Sequence, residues 1–141
     1  MSKIIALAII IIIITLFLLR KNPNRTAPVQ IKNQIFNLEI ADNLSSRSSG
    51  LSKRRSLCSN CGMIFIYQKE SIYPFWMKNT RFPLDIIWLD KNGQVVDIKQ
   101  GQPNSLSILK NQTPARYTIE LPANSVSLKI GDIINLPYEI N

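Results

Sequence analysis

Ile4 to Leu19 is a run of sixteen residues that is apolar except for Thr15 and contains six consecutive isoleucines. Such a run has no amphipathic period, which argues against a helix with one buried face in a small domain. As a helix it spans about 24 Å, somewhat short of a ~30 Å hydrocarbon core. Lys3 and Arg20 flank it and can extend toward head groups. Residues 1–21 therefore read as a transmembrane signal anchor or signal peptide, with membrane contact through residues 4–19. No small-x-small cleavage site follows, which favours retention. Residues 22–28 (NPNRTAP) read as a polar linker, and a folded domain is expected over residues 29–141. Orientation draws on conflicting cues. Arg20, Lys21 and Arg25 favour a cytoplasmic domain, and an export-type anchor favours the opposite side.

Charge narrows the partners. The chain carries +8, but four of its 17 basic residues (Lys3, Arg20, Lys21, Arg25) precede the domain, leaving 13 against 9 acids. Arg47, Lys53, Arg54 and Arg55 equal that excess of four, so the domain has one local basic patch. The bland reading of Lys53 and Arg54 is solvated surface charge. Aromatic residues do not interleave with the patch, which argues against nucleic acid. Histidine is absent, removing the commonest general base and metal ligand.

The domain pattern is mainly β. Strands are expected at Gln34–Ala41, Gly62–Tyr67, Phe75–Lys78, Leu84–Asp90, Gln94–Gln100, Tyr117–Leu121 and Ile133–Leu136. Lys91-Asn92-Gly93 is a hairpin turn, since Asn-Gly supplies positive φ at low cost. Asp42 offers an N-cap for a short helix ended by Gly50, and Asn124–Ile130 allows one further helical turn. Residues 101–114 read as a long loop. Short strands with one or two brief helices predict a compact barrel-like or sandwich domain behind an N-terminal transmembrane helix.

Cys58-Ser59-Asn60-Cys61 is open to three readings: a disulfide or free thiols, a redox pair, or a metal site shared between chains. One chain lacks the further ligands that zinc requires, so neither metal nor cofactor is expected. The densest chemistry lies in "PFWMKNTRFPLDIIWLD", Pro74 to Asp90. Strand alternation puts Phe75 and Met77 on one face, with Trp76 and Lys78 on the other. It also separates Asp85, Ile87 and Leu89 from Leu84, Ile86 and Trp88. A carboxylate at Asp85 among apolar residues needs partners. It either braces the Asn79–Pro83 turn or lines a polar pocket with Lys78 and Asn79.

Several motifs occur in order: Arg47-x-x-Gly50-Leu51, Gly62-Met63-Ile64-Phe65, Phe75-Trp76-Met77-Lys78-Asn79-Thr80, Pro83-Leu84-Asp85, Asp90-x-x-Gly93-x-Val95, Tyr117-x-x-Glu120-Leu121-Pro122-Ala123 and Gly131-Asp132. Together they resemble the uncharacterised family known as domain of unknown function 192. The resemblance implies a compact, mostly β fold, often behind a signal segment, and no established activity or cofactor. Ser52 and the Cys58–Cys61 pair depart from the family pattern. The expected function is a membrane-anchored, extracytoplasmic domain that binds a small polar or anionic ligand or an envelope partner. Its candidate ligand residues are Arg47, Trp76, Lys78, Asn79, Asp85 and Glu120. Alternatives are a small hydrolase or lyase using Asp85 and Glu120 with Lys78, or a structural envelope protein without a pocket.

Overall fold

The computed structural model describes residues 25–137, so the anchor over residues 1–21 lies outside the described residues. The fold is mainly β. Its elements are β1 (Thr26–Ile31), β2 (Gln34–Ala41), α1 (Leu44–Ser49), β3 (Cys61–Ser71), β4 (Pro74–Phe75), β5 (Leu84–Leu89), β6 (Val95–Gly101), β7 (Leu109–Lys110) and β8 (Ala115–Pro122). Six strands form one sheet in the order β1-β2-β3-β8-β5-β6, and β4 pairs with β7 as a separate ribbon. β1 and β6 are not paired with each other, so the described strands form one open six-stranded sheet where the sequence predicts a barrel-like or sandwich domain. No helix among the described residues is long and apolar enough to cross a membrane.

Period-2 patterning creates two cores, one on each face. Phe36, Leu38 and Ile40 of β2, Ile64 of β3, Ile87 and Leu89 of β5, and Ile119 and Leu121 of β8 form the first. The segment after β8 covers it with Val126, Leu128, Ile134 and Leu136. Met63, Phe65, Leu84, Ile86 and Trp88 belong to the second, with Leu51, Phe75 and Met77 from the connections. β5 is thus apolar on both faces, as the separation of Ile87 and Leu89 from Ile86 and Trp88 requires. Each fully buried Leu, Ile or Phe contributes roughly 1.5–3 kcal/mol, so covering both faces stabilises a sheet of this size substantially.

Several boundaries differ from those expected. β1 begins at Thr26, inside the stretch read as linker. Its Ala27, Val29 and Ile31 point into the first core, while Pro28 is exposed. Pro is tolerated there because β1 is an edge strand. The cap of α1 is Asn43 rather than Asp42: the Ser46 amide donates to Asn43 Oδ1 at 3.0 Å, and the Asn43 amide donates to Ser46 Oγ at 3.3 Å. The expected strand over Phe75–Lys78 stops at Phe75, because Asn79 adopts a left-handed φ of 60° and closes a turn. Residues 124–130 form no helix, and the expected strand over Ile133–Leu136 is reduced to one bridge between Gln94 and Ile133. The Lys91–Gly93 turn forms as expected. Asp90 Oδ1 accepts from the Asn92 and Gln94 amides at 2.8 and 2.9 Å, and Gly93 has φ 78°.

Candidate functional site

β2 and β3 are the parallel pair in the sheet, and a parallel pair requires a crossover. That crossover carries α1 and residues 50–60 over the second core, where Leu51 is buried. The β4 turn approaches from the other side. The Lys53 amide donates to the Asn79 carbonyl at 2.8 Å and joins the two segments. Between them lies a cleft of about 610 Å³ above β3 and β8.

One wall is aromatic. Tyr67 and Tyr73 stack with centroids 3.5 Å apart, while Phe75 meets Phe65 edge-on at 4.9 Å and Trp88 at 5.8 Å. Trp88 Nε1 donates to the Tyr73 carbonyl at 3.1 Å, which fixes the strand leading into β4. The turn beyond β4 is pinned by backbone bonds from the Met77 amide to the Ser105 carbonyl and from the Asn104 amide to the Thr80 carbonyl. Met77 is buried against Gly101. Trp76, on the opposite side of the chain, remains 51% exposed with Lys78 Nζ 5.0 Å from its ring centroid.

The other wall comes from α1 and its loop. Arg47 donates to the Ile66 carbonyl at 3.0 Å and lies 5.5 Å from the Tyr67 ring centroid. Ser48, Ser49, Ser52 and Lys53 continue this wall. Arg54 points away and forms a two-pronged ion pair with Glu39, so its reading as solvated charge is corrected.

Glu120 closes the floor. It is 5% exposed, and its Oε2 has no hydrogen-bond partner among the described residues. A β-carbon built on Gly50 sits 3.9 Å from that oxygen, so Oε2 faces a residue that itself lines the cleft. Burial pushes the carboxyl up to about 8, against the smaller opposing pull of Arg54. The floor is therefore a neutral carboxylic acid at pH 7, able to donate and accept one hydrogen bond.

Arg47, Trp76, Lys78, Asn79 and Glu120 are brought together in this cleft. Asp85 is not. Cross-strand partners share a face, and Asp85 pairs with Leu121 while Glu120 pairs with Ile86. The two carboxylates thus project from opposite faces, and the acid–base pairing expected of them is not formed. Asp85 instead holds the turn after β8: its Oδ2 accepts from the Asn124 amide at 2.8 Å and its Oδ1 from Gln100 Nε2 at 3.2 Å. Asp85→Ala is expected to lower stability by about 1–2 kcal/mol in chemical denaturation. It should leave the cleft intact, and an unchanged midpoint would contradict the bracing role. Ser48, Ser49, Tyr67 and Thr80 also line the cleft and were not picked out from sequence. The run Arg47-Ser48-Ser49-Gly50-Leu51-Ser52-Lys53, hydroxyl-rich around a helix-ending Gly, is the signal that points to Ser48 and Ser49.

Cys58 and Cys61 form a disulfide with Cα atoms 5.1 Å apart, closing the turn that leads into β3.

Fold and cleft define a small, mainly β domain with a cation-rimmed, aromatic-walled cleft. The chain belongs to the family of domain of unknown function 192 (DUF192, described as an uncharacterized ACR), whose model matches residues 27–136. A UPF0127 protein of Thermococcus sibiricus is 31% identical over 110 residues, covering 72% of this chain and 67% of the relative. A solved structure of a protein of unknown function from Novosphingobium aromaticivorans has a TM-score of 0.75 at 26% identity, covering 83% of this chain and 89% of that one. Another, from Sinorhizobium meliloti and provisionally described as a transcription regulator, has a TM-score of 0.71 at 28% identity, covering 77% and 89%.

Proposed function

We propose that this chain is a membrane-anchored, extracytoplasmic binding domain whose cleft holds a small polar or anionic ligand. The observation that carries the reading is a cleft lined by the buried Glu120 carboxyl together with Arg47, Lys53 and Lys78. A buried polar atom without a partner costs about 1–3 kcal/mol, so the unpaired Glu120 Oε2 marks a carboxyl kept beneath the cleft at the expense of stability. Arg47, Lys53 and Lys78, which line the same cleft, form no ion pair among the described residues, leaving positive charge available to an anion. The apolar run Ile4–Leu19 supports the anchor, and the Cys58–Cys61 disulfide supports an oxidising compartment. An enzyme reading built on Asp85 and Glu120 is set aside because their side chains lie on opposite faces of the sheet. The regulator description of the Sinorhizobium protein is not carried over. The one helix among the described residues has six residues, too short to cross a major groove as a recognition helix.

Thermal unfolding of the full chain with a panel of organic anions and neutral polar metabolites tests the reading. A ligand at a hundredfold excess over its Kd adds about 2.7 kcal/mol. In a domain of this size that raises Tm by on the order of 10 °C. Lys78→Met should melt like the parent, since Lys78 is exposed, and should lose most of the ligand-induced rise. A panel in which no compound raises Tm, or equal rises in parent and variant, would contradict the proposal.

A further inference from the structure

Building on the ligand-cleft reading, we infer that the occupant is a carbohydrate carrying a phosphate or a carboxylate. Its anionic group is held by Arg47, Lys53 and Lys78, its ring lies along Trp76, and a hydroxyl reaches Glu120. Three features of the cleft select this chemistry together. First, the floor group is a neutral carboxyl that both donates and accepts, and a sugar hydroxyl also does both. A carboxylate or a ring nitrogen at that position matches only one of the two capacities. Second, the cleft is also lined by Ser48, Ser49, Ser52, Asn79 and Thr80, whose side chains likewise donate and accept. Third, Trp76 is half exposed at the cleft edge with Lys78 over one face of its ring, and its remaining flat apolar surface suits the C–H face of a sugar ring. A neutral sugar leaves the three cations unmatched, and a bare inorganic anion leaves Glu120 and Trp76 unused. A sugar joined to an anionic group uses both ends.

Intrinsic fluorescence of the full chain, in a detergent without a sugar head group, reads the interaction directly. The chain has two tryptophans, and Trp88 is fully buried, so a ligand-dependent change that vanishes in Trp76→Phe belongs to Trp76. The probes are hexose 6-phosphates of gluco, galacto, manno and N-acetylglucosamine configuration, the matching hexuronates, the parent neutral sugars, and inorganic phosphate. Saturable binding of at least one phosphate or uronate, tenfold or more tighter than its neutral sugar and than inorganic phosphate, is the expected result. Whether the phosphate or the uronate binds identifies the anion. Glu120→Met should weaken that binding at least tenfold, and Glu120→Gln, which still donates and accepts, should restore it to within about threefold. Equal binding of the neutral sugar or of inorganic phosphate overturns the inference. So does binding of a non-carbohydrate anion from the metabolite panel when every sugar probe fails, and the ligand cleft itself then stands. Failure of every compound in both panels removes the cleft reading along with this one.

Discussion

Glu120→Gln will make the domain markedly more stable than the parent above pH 8, with little difference near pH 4. The sign follows from proton counts. Unfolded, the Glu120 carboxyl ionises near its ordinary 4.5; folded, it keeps its proton to about 8 because burial disfavours the charge. Between those values the native state binds more protons than the unfolded state, so stability falls as pH rises. The loss is complete above the folded value and amounts to on the order of 5 kcal/mol. Gln has the shape of the protonated acid and does not titrate, so the variant should lack this slope. Asp132 does not interfere. Its carboxyl is held below the usual range by its bond from Lys32, aided by the Lys129 amide, so its contribution is lost only as pH falls into the acid region. Urea denaturation of both proteins at half-unit intervals from pH 4 to 9 measures the difference. Parallel curves for the two proteins would mean that Glu120 is solvated and charged like a surface carboxylate.

The second large effect belongs to Met77. Met77→Ala should cost about 2–5 kcal/mol, the range for truncating a fully buried side chain. Met77 is the peg that fixes the turn carrying Trp76, Lys78 and Asn79. Its Cγ lies 2.7 Å, and its Cε 3.2 Å, from where a β-carbon on Gly101 is built. Gly101→Ala alone should therefore cost about 1–3 kcal/mol by overpacking. In the Met77→Ala background the same change fills part of the vacated space and should be neutral or stabilising. A double-mutant cycle then yields a coupling of about 1–3 kcal/mol. Simple additivity would show that Met77 does not rest on Gly101.

What was legible in the sequence follows the range of the forces involved. β2 was placed to the residue and the Asn92-Gly93 turn was recognised, because alternation and turn chemistry are local. Arg47, Trp76, Lys78, Asn79 and Glu120 line one cleft, and what marked them in the sequence was the ordered motifs and the density of polar residues beside Trp76. Asp85 was misplaced because its partner is the Asn124 amide, 39 residues away, and no local pattern encodes that contact. β1 was hidden by Pro28, which signals a linker until its edge position is known. The Arg54–Glu39 pair, and the solitude of Glu120 Oε2, likewise arise only when the crossover folds across the sheet.

The most direct measurement is a carbon-detected NMR titration of the glutamate side-chain carboxyls in the full chain, which has four glutamates. Glu120→Gln identifies the Glu120 resonance by its disappearance. That resonance should stay in the protonated position at pH 7 and titrate with a midpoint near 8. A Glu120 resonance that titrates near 4.5 would contradict the neutral acid on the floor of the cleft.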